Sequence, residues 1–533
     1  MTAMNEGDTQ VPSELAKYAI EQLVGYALHQ GLLGTYDADY GRNQLLELYG
    51  MDENYQGEET INIPTTPADV LHTLIDYGYK IGLIPDNSTT YRDLLDARIM
   101  GLLTPRPSEV IAKFQNLSES EGIAAATDDF YQLSVASNYI RMDRVVENLY
   151  WTKETIYGEM EITINLSKPE KNPKEIAMAK LLPPPIYPKC QLCRENVGYA
   201  GRLNHPGRQN LRVIPLELNE EAWFFQYSPY VYYNEHSIVF HHDHVPMKLT
   251  KSTFKRLLDF VGKFPHYFIG SNADLPIVGG SILTHDHFQA GRHVFPLEKA
   301  KIDANYGHTL HPGVQLSVVD WPMSVLRLNS QDPDALLHAA DEVYSTWKEY
   351  EDADSEIIPY THSTLGEDAI PHHTVTPIVR RGAEGSYEMD LVLRSNLTSA
   401  EHPDGIYHPH QDMHHIKKEN IGLIEVMGLA ILPGRLKDEL GTIALILAGN
   451  EQLYNETTEG LHPELSPHLR WIKELILEHG NTFTFEAAEE LLRQEVGRKF
   501  SEILAHAGVF KRTDAGRIAL HKFITHLGYS KSS

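Results

Sequence analysis

Two stretches of this 533-residue chain carry side chains suited to phosphoryl chemistry and metal binding. In Ser281-Ile-Leu-Thr-His285-Asp-His287-Phe-Gln289, the residues His285, His287 and Gln289 recur at a spacing of two. On a strand that spacing sends all three to one face, and three polar groups there are costly to bury unless they bind something. A neutral imidazole is a good nucleophile near neutral pH. It can attack the α-phosphorus of a nucleotide and expel the remainder as a leaving phosphate. Gln289 can hydrogen-bond the phosphoryl oxygens without transferring a proton, and Gly279 and Gly280 allow backbone N–H groups to approach the same phosphate. The run therefore points to nucleotidyl transfer. The plainer reading is a pair of histidines packed on a strand.

The second stretch contains the chain's only two cysteines, in Cys190-Gln-Leu-Cys193. Two cysteines exclude a disulfide scaffold. They leave a metal half-site, a redox pair or two reduced buried thiols, and the absence of a βαβ pattern disfavours the redox pair. A metal needs further ligands, which the histidine-rich run His241-His242-Asp243-His244 and His285 can supply. A Cys₂His₂ zinc site drawing on both would tie this loop to the histidine strand, with His285 orienting its neighbour.

The elements that must hold these residues follow from periodicity. The first 155 or so positions read as helical. Thr66-Pro67-Ala68-Asp69 looks like a helix start, and Val70, Leu71, Leu74 and Ile75 follow at helical spacing; 14–29, 90–103 and 125–150 are similar. Lys168, Lys171 and Lys174 among prolines, then Pro183-Pro184-Pro185, mark a boundary. Strands are expected at Leu211–Leu218, Ala222–Tyr233 and Ser237–His241. A helix capped by Ser252 follows, carrying Phe254, Leu257, Leu258 and Val261, then a strand at His266–Gly270 and the histidine run. A weaker echo repeats this order: a strand at Ser324–Leu328, a helix from Asp332-Pro333 to about Tyr350, and strands Val375–Arg380 and Tyr387–Arg394. The class is α+β, with two related halves in tandem. Beyond about 436 the chain reads as helical, with Ser466-Pro467 a helix start.

The formal charge of −27, from 46 basic and 73 acidic residues, argues against general nucleic-acid binding. No apolar run approaches the ~18–20 residues that span a bilayer, and the polar N-terminus lacks signal-peptide character. A cytoplasmic protein that contacts neither membrane nor nucleic acid is expected.

Three pieces together resemble the galactose-1-phosphate uridylyltransferase family of the histidine-triad superfamily. They are Cys190-Gln-Leu-Cys193-Arg-Glu-Asn196-Val, Ile238-Val-Phe-His-His-Asp243-His244, and Gly280-Ser281 through His285-Asp-His287-Phe-Gln289. The helical N-terminal block and His414-His415-Ile-Lys417-Lys418-Glu-Asn420-Ile-Gly-Leu-Ile-Glu425 are similar to its longer bacterial class. The resemblance implies two histidine-triad-like halves with antiparallel sheets, flanked by helical regions, and a division at 1–165, 166–310, 311–435 and 436–533. It implies a ping-pong transfer of UMP from UDP-glucose to galactose 1-phosphate, giving UDP-galactose and glucose 1-phosphate. His287 would carry the uridylyl group and Gln289 would stabilise it. Zinc would sit on Cys190, Cys193, His244 and His285. Asn272, Gly280 and Ser281 would contact nucleotide and phosphate, while Glu425, Lys418 and Asn420 would lie near the hexose. No organic cofactor is implied, and a homodimer is.

Two departures stand out. Asp286 occupies a position where shorter family members have proline. The strand Tyr387–Arg394 offers Leu391 and Leu393 where those members have histidines for a second metal, so a second site is not expected. His408-Pro-His410 lacks the glutamine, since Asp412 stands there, and is read as a substrate-side loop. Arg202, Arg208 and Arg212 are candidate clamps for a sugar phosphate. Two alternatives compete: a superfamily phosphorylase or transferase acting on adenine nucleotides, and a zinc-stabilised binding protein without catalysis.

Overall fold

The computed structural model describes residues 13–167, 186–280, 282–361 and 369–532. The expected boundary at Lys168–Pro185 and the candidate Ser281 lie outside the described residues.

Helices from Ser13–His29 to Ile123–Ala136 build the N-terminal block. The helix Ala68–Lys80 buries Val70, Leu71, Leu74 and Ile75, as their spacing requires. Its N-cap is Pro67, one residue beyond the Thr66 start. The block does not stay helical to 165. Its end is an antiparallel hairpin, β1 (Leu149–Thr155) and β2 (Gly158–Ile164), rich in the β-branched and aromatic residues that favour strands.

The central feature is one antiparallel sheet made of two sets of five strands. The first set is β3 (Ile214–Leu218), β4 (Glu221–Tyr227), β5 (Ser237–His241), β6 (Phe268–Gly270) and β7 (His287–Gly291). The second is β8 (Ile302–Gly307), β9 (Gln315–Val319), β10 (Val325–Ser330) and, beyond the short pair β11 (Tyr360–Thr361) and β12 (Ile370–Pro371), β13 (His373–Arg381) and β14 (Tyr387–Ser395). Each set has the spatial order first, second, third, fifth, fourth, with a helix between its third and fourth strands. The tandem halves are thus visible in the topology, although sequence identity between them is faint. The second set begins at Ile302, so the boundary expected at 310 falls inside it.

The two fourth strands join the halves. β6 pairs with β13 through Gly270 opposite Ile378 and Ile269 opposite Val379. β15 (Leu429–Leu432) runs parallel to β2, and β16 (Ser530–Lys531) edges β8.

One face of this sheet is apolar and packs on the helices Lys251–Lys263 and Pro333–Glu349. The first buries Phe254, Leu257, Leu258 and Val261, at ~1.5–3 kcal/mol for each full burial. Its N-cap is Thr250 rather than Ser252: the Thr250 N–H donates to Thr253 Oγ1 at 3.1 Å. The second starts as expected, Asp332 Oδ1 accepting from the Asp334 N–H at 2.9 Å with Pro333 in the first turn. The opposite face, which carries His287 and Gln289, is roofed in part by the segment around Met413–Leu432 and by the C-terminal helices Leu436–Leu447 and Phe485–Ala507. Ser466 and Pro467 lie in a 3₁₀ turn preceding the helix Leu469–His479.

Candidate functional site

The strand β7 begins at His287, not at His285. His287 and Gln289 share a face, opposite Phe240 and Ile238 of β5. His285 lies in the turn before the strand, and its ring is drawn toward the cysteine loop. The alternation expected for all three residues holds for two.

This displacement gives the two histidines different tautomers. The His285 Nε2–H donates to the His241 carbonyl at 2.8 Å, so the lone pair of Nδ1 faces Cys190 Sγ at 3.3 Å and Cys193 Sγ at 3.7 Å. The His287 Nδ1–H donates to the His285 carbonyl at 2.8 Å, so its lone pair is on Nε2. His287 is buried, and burial pulls its pKa down to about 4. At neutral pH it is an uncharged imidazole with one fixed lone pair, the form a nucleophile requires.

Cys190, Cys193, His244 and His285 converge with ligand atoms all within 4.8 Å of one another. Cys190 Sγ lies 3.5 Å from Cys193 Sγ, and Cys193 Sγ lies 3.2 Å from His244 Nδ1. A tetrahedral ion with bonds of about 2.3 Å to sulfur and about 2.0–2.1 Å to nitrogen spaces its ligand atoms about 3.3–3.8 Å apart, so the four residues fit a metal. Without a cation, burial pushes the Cys190 thiol up to about 12. Asn196 braces the loop. Its amide donates to the carbonyls of Cys190 at 2.9 Å and Cys193 at 2.7 Å, while Oδ1 meets His205 Nε2 at 2.7 Å.

Asp286 points the other way. Its carboxylate lies 3.6 Å from Arg256 of the helix Lys251–Lys263, and that guanidinium sits over Trp223. Burial raises the Asp286 pKa to about 6 against the pull of Arg256. The departure from proline thus anchors the run to the apolar side of the sheet rather than adding a metal ligand.

The second wall of the site comes from 270–280 and 420–425. Gly270, opposite Gln289, leaves room that a Cβ would close, at 2.7 Å from Leu423 Cδ1. Asn272 is buried and accepts the Leu423 N–H at 2.9 Å; a Cβ on Gly280 would lie 2.8 Å from the Asn272 amide. Asn420 donates to the Gly279 carbonyl at 3.2 Å. Glu425 is buried, accepts from the Gly422 N–H at 3.2 Å, and pairs with Lys417 Nζ at 2.8 Å. Lys417 is the lysine the fold turns inward; Lys418 is exposed. Asn272, Gly280, Asn420 and Glu425 are therefore gathered, and Lys418 stands outside the contacts that join them.

The arginines divide. Arg212 spends its guanidinium on the carbonyls of Thr104, Pro105, Gln209 and Leu211, fastening the N-terminal block. Arg208 lies over the Tyr139 ring. Of the three, only Arg202 has guanidinium nitrogens buried without hydrogen-bond partners among the described residues. His408 is buried, its Nδ1 on the Pro409 carbonyl. Leu391 and Leu393 face the apolar side, fully buried.

Sequence reasoning passed over His236, buried beside Gln289, and the Asp286–Arg256 pair. The run Asn234-Glu235-His236, placing two ionisable residues immediately before a strand, was the available signal for the first.

Two family models match the chain: galactose-1-phosphate uridyl transferase, N-terminal domain, over residues 33–246, and its C-terminal domain over 260–449. A galactose-1-phosphate uridylyltransferase of Caldanaerobacter subterraneus is 54% identical over 518 residues, covering 97% of this chain and 99% of that protein. One of Halalkalibacterium halodurans is 51% identical, with 95% and 98% covered, and one of Bacillus subtilis is 48% identical, with 96% and 97% covered. Among solved structures, the yeast Ap4A phosphorylase Apa2 overlaps with a TM-score of 0.30 at 14% identity, covering 69% of this chain and 92% of that one.

Proposed function

The chain belongs to the galactose-1-phosphate uridylyltransferase family, and from that premise we propose that it moves UMP between hexose 1-phosphates through a covalent uridylyl group on His287. The observation that carries this reading is the tautomer of His287. Burial keeps the ring neutral, and its Nδ1–H is committed to the His285 carbonyl, so Nε2 is the free nucleophile.

In the first half-reaction, His287 Nε2 attacks the α-phosphorus of UDP-glucose. A P–N bond forms, the bridging P–O bond breaks, and its electron pair leaves with glucose 1-phosphate. In the second, a phosphate oxygen of galactose 1-phosphate attacks the same phosphorus, the P–N bond breaks, and UDP-galactose departs with neutral His287 restored. Gln289, on the same face, holds the phosphoryl oxygens, and as an amide it offers no proton-transfer group to activate water. Asn272 and Gly280 form the nucleotide wall. Glu425 and Asn420 stand on the hexose side, with Lys418 a solvent-facing candidate there, and the family resemblance implies a phosphate contact for Ser281.

Two thiolates and two imidazoles favour zinc at Cys190, Cys193, His244 and His285. Four protein ligands would fill a tetrahedral sphere, so an ion held there would be structural and would fix His285, whose carbonyl orients His287. No helix among the described residues is long and apolar enough to cross a membrane. A cytoplasmic homodimer is the state the family resemblance supports, and sedimentation of the purified chain reads the oligomer.

The deciding experiment follows UMP exchange between UDP-glucose and labelled galactose 1-phosphate, and traps the protein adduct from uridylyl-labelled UDP-glucose. Wild type should form a uridylyl-histidine at position 287, and His287→Ala should lose exchange by about a thousandfold or more. Label from an ATP analogue but not from UDP-glucose would redirect the reading to adenine nucleotides. Unchanged exchange in His287→Ala would end it.

A further inference from the structure

His236 immediately precedes β5, two residues before Ile238, which lies opposite Gln289. Residues 236 and 238 therefore share the face of the sheet that carries Gln289 and His287. The ring is 3% exposed and wedged between Tyr232, stacked at 5.1 Å, and Tyr233 at 4.6 Å. Among the described residues, neither His236 nitrogen has a full hydrogen bond, and neither does the buried Oε1 of Gln289. A buried imidazole and a buried amide oxygen left so are costly, and the Gln289 side chain lies within interacting reach of the ring. The two open valences are complementary: a neutral imidazole has one N–H to give, and Oε1 can only accept.

We propose that His236 is a positioning residue for the transfer, donating its ring N–H to Gln289 Oε1 and so fixing the amide with its NH₂ toward the phosphoryl group on His287. The proposal rests on the uridylyl-transfer reading above. An amide has two nearly isosteric orientations, and only one presents donors to phosphoryl oxygens. Without an external acceptor–donor match the side chain divides its time between them. His236 removes that freedom before substrate arrives, which is what preorganisation of an oxyanion contact requires. The surrounding tyrosines bar the ring from water, and burial drives its pKa down to about 3, so it remains a neutral single donor.

The test is a double-mutant cycle read by the rate of uridylyl transfer to the enzyme and by kcat and KM for exchange. His236→Phe should lower the transfer rate and kcat by about tenfold to a hundredfold, with KM for UDP-glucose within about threefold. In a Gln289→Ala background the same substitution should change the rate by less than about twofold. His236→Gln, which returns a donor amide, should recover most of the loss, and His236→Leu takes the place of His236→Phe in the same cycle if the latter does not fold. An equal loss in both backgrounds, or no loss in either, would overturn the proposal. If His287→Ala itself exchanges UMP normally, the parent reading fails instead, and the two failures are told apart.

Discussion

Replacing Asn196 by alanine separates the metal loop from the chemistry it supports. Asn196 is 1% exposed and makes three contacts: its amide donates to the carbonyls of Cys190 and Cys193, and its Oδ1 accepts from His205 Nε2–H. At a net ~1 kcal/mol for each, Asn196→Ala removes about 3 kcal/mol, and it leaves the Cys190 and Cys193 carbonyls of the ligand loop with only their backbone donors. Contacts that orient metal ligands typically govern affinity by about tenfold to a hundredfold. The variant should therefore surrender its ion to a competing chelator at a correspondingly lower concentration. Trp223 stacks on Phe288 at 4.8 Å and meets His241 at 5.1 Å, so tryptophan emission during urea titration reports on this corner of the sheet. The measurement is a urea midpoint with and without chelator, alongside metal content. The midpoint should fall in both conditions, and less with chelator, since part of the loss is already incurred there. A variant that keeps its metal against chelator as wild type does, with an unfolding free energy changed by less than about 0.5 kcal/mol, would refute the brace.

Other outcomes follow from the same geometry. Gly270→Ala places a Cβ 2.7 Å from Leu423 and 3.0 Å from the Pro377 carbonyl; it should cost about 1–3 kcal/mol and depress kcat, read by thermal melting and exchange assays. Arg212→Met leaves four carbonyls without their donor and should expose the N-terminal helices to limited proteolysis, with Arg212→Lys a poor rescue because an ammonium cannot span that fork. His373 is buried against Trp347, and burial lowers its pKa to about 4. A lowered histidine leaves stability whole above its unfolded pKa of about 6.5 and removes it as pH falls toward 4, by about 2 kcal/mol at pH 5. His373→Gln should flatten that part of the stability–pH curve, and an unchanged slope would count against it.

The site was legible where chemistry dictates spacing. The pairs Cys190/Cys193 and His287/Gln289 are fixed by local geometry: the first converges with His244 and His285, and the second shares a strand face. His285 was misassigned to the strand because alternation says nothing about where a strand begins; the hydrogen bond to the His241 carbonyl, 44 residues away, sets that start. Lys417 and Lys418 are adjacent in an irregular segment without a period, so only the packed fold distinguishes the lysine that meets Glu425. Arg212 looked like a surface clamp because its carbonyl partners at Thr104 and Pro105 lie 107–108 residues back. The tandem halves showed through their element order. Their union into one sheet did not, since it rests on two residue pairs of β6 and β13.

That short seam has a counterpart on either side. Gln289 stands opposite Gly270, Gly270 opposite Ile378, and Ile378 opposite Asp390. A walk outward from the seam therefore meets the reactive strand in one direction and its duplicate in the other, with Asp390 where Gln289 would be and Glu388 where His287 would be. There Asp390 holds Arg327 at 2.7 Å and Arg380 at 2.9 Å, and Glu388 closes on Arg380. Of these two corresponding places in the sheet, one carries His287 and Gln289, and the other is riveted by ion pairs. Such a division lets the half that carries His287 keep a buried, unpaired polar atom at Gln289 Oε1, while its counterpart commits its charged groups to one another.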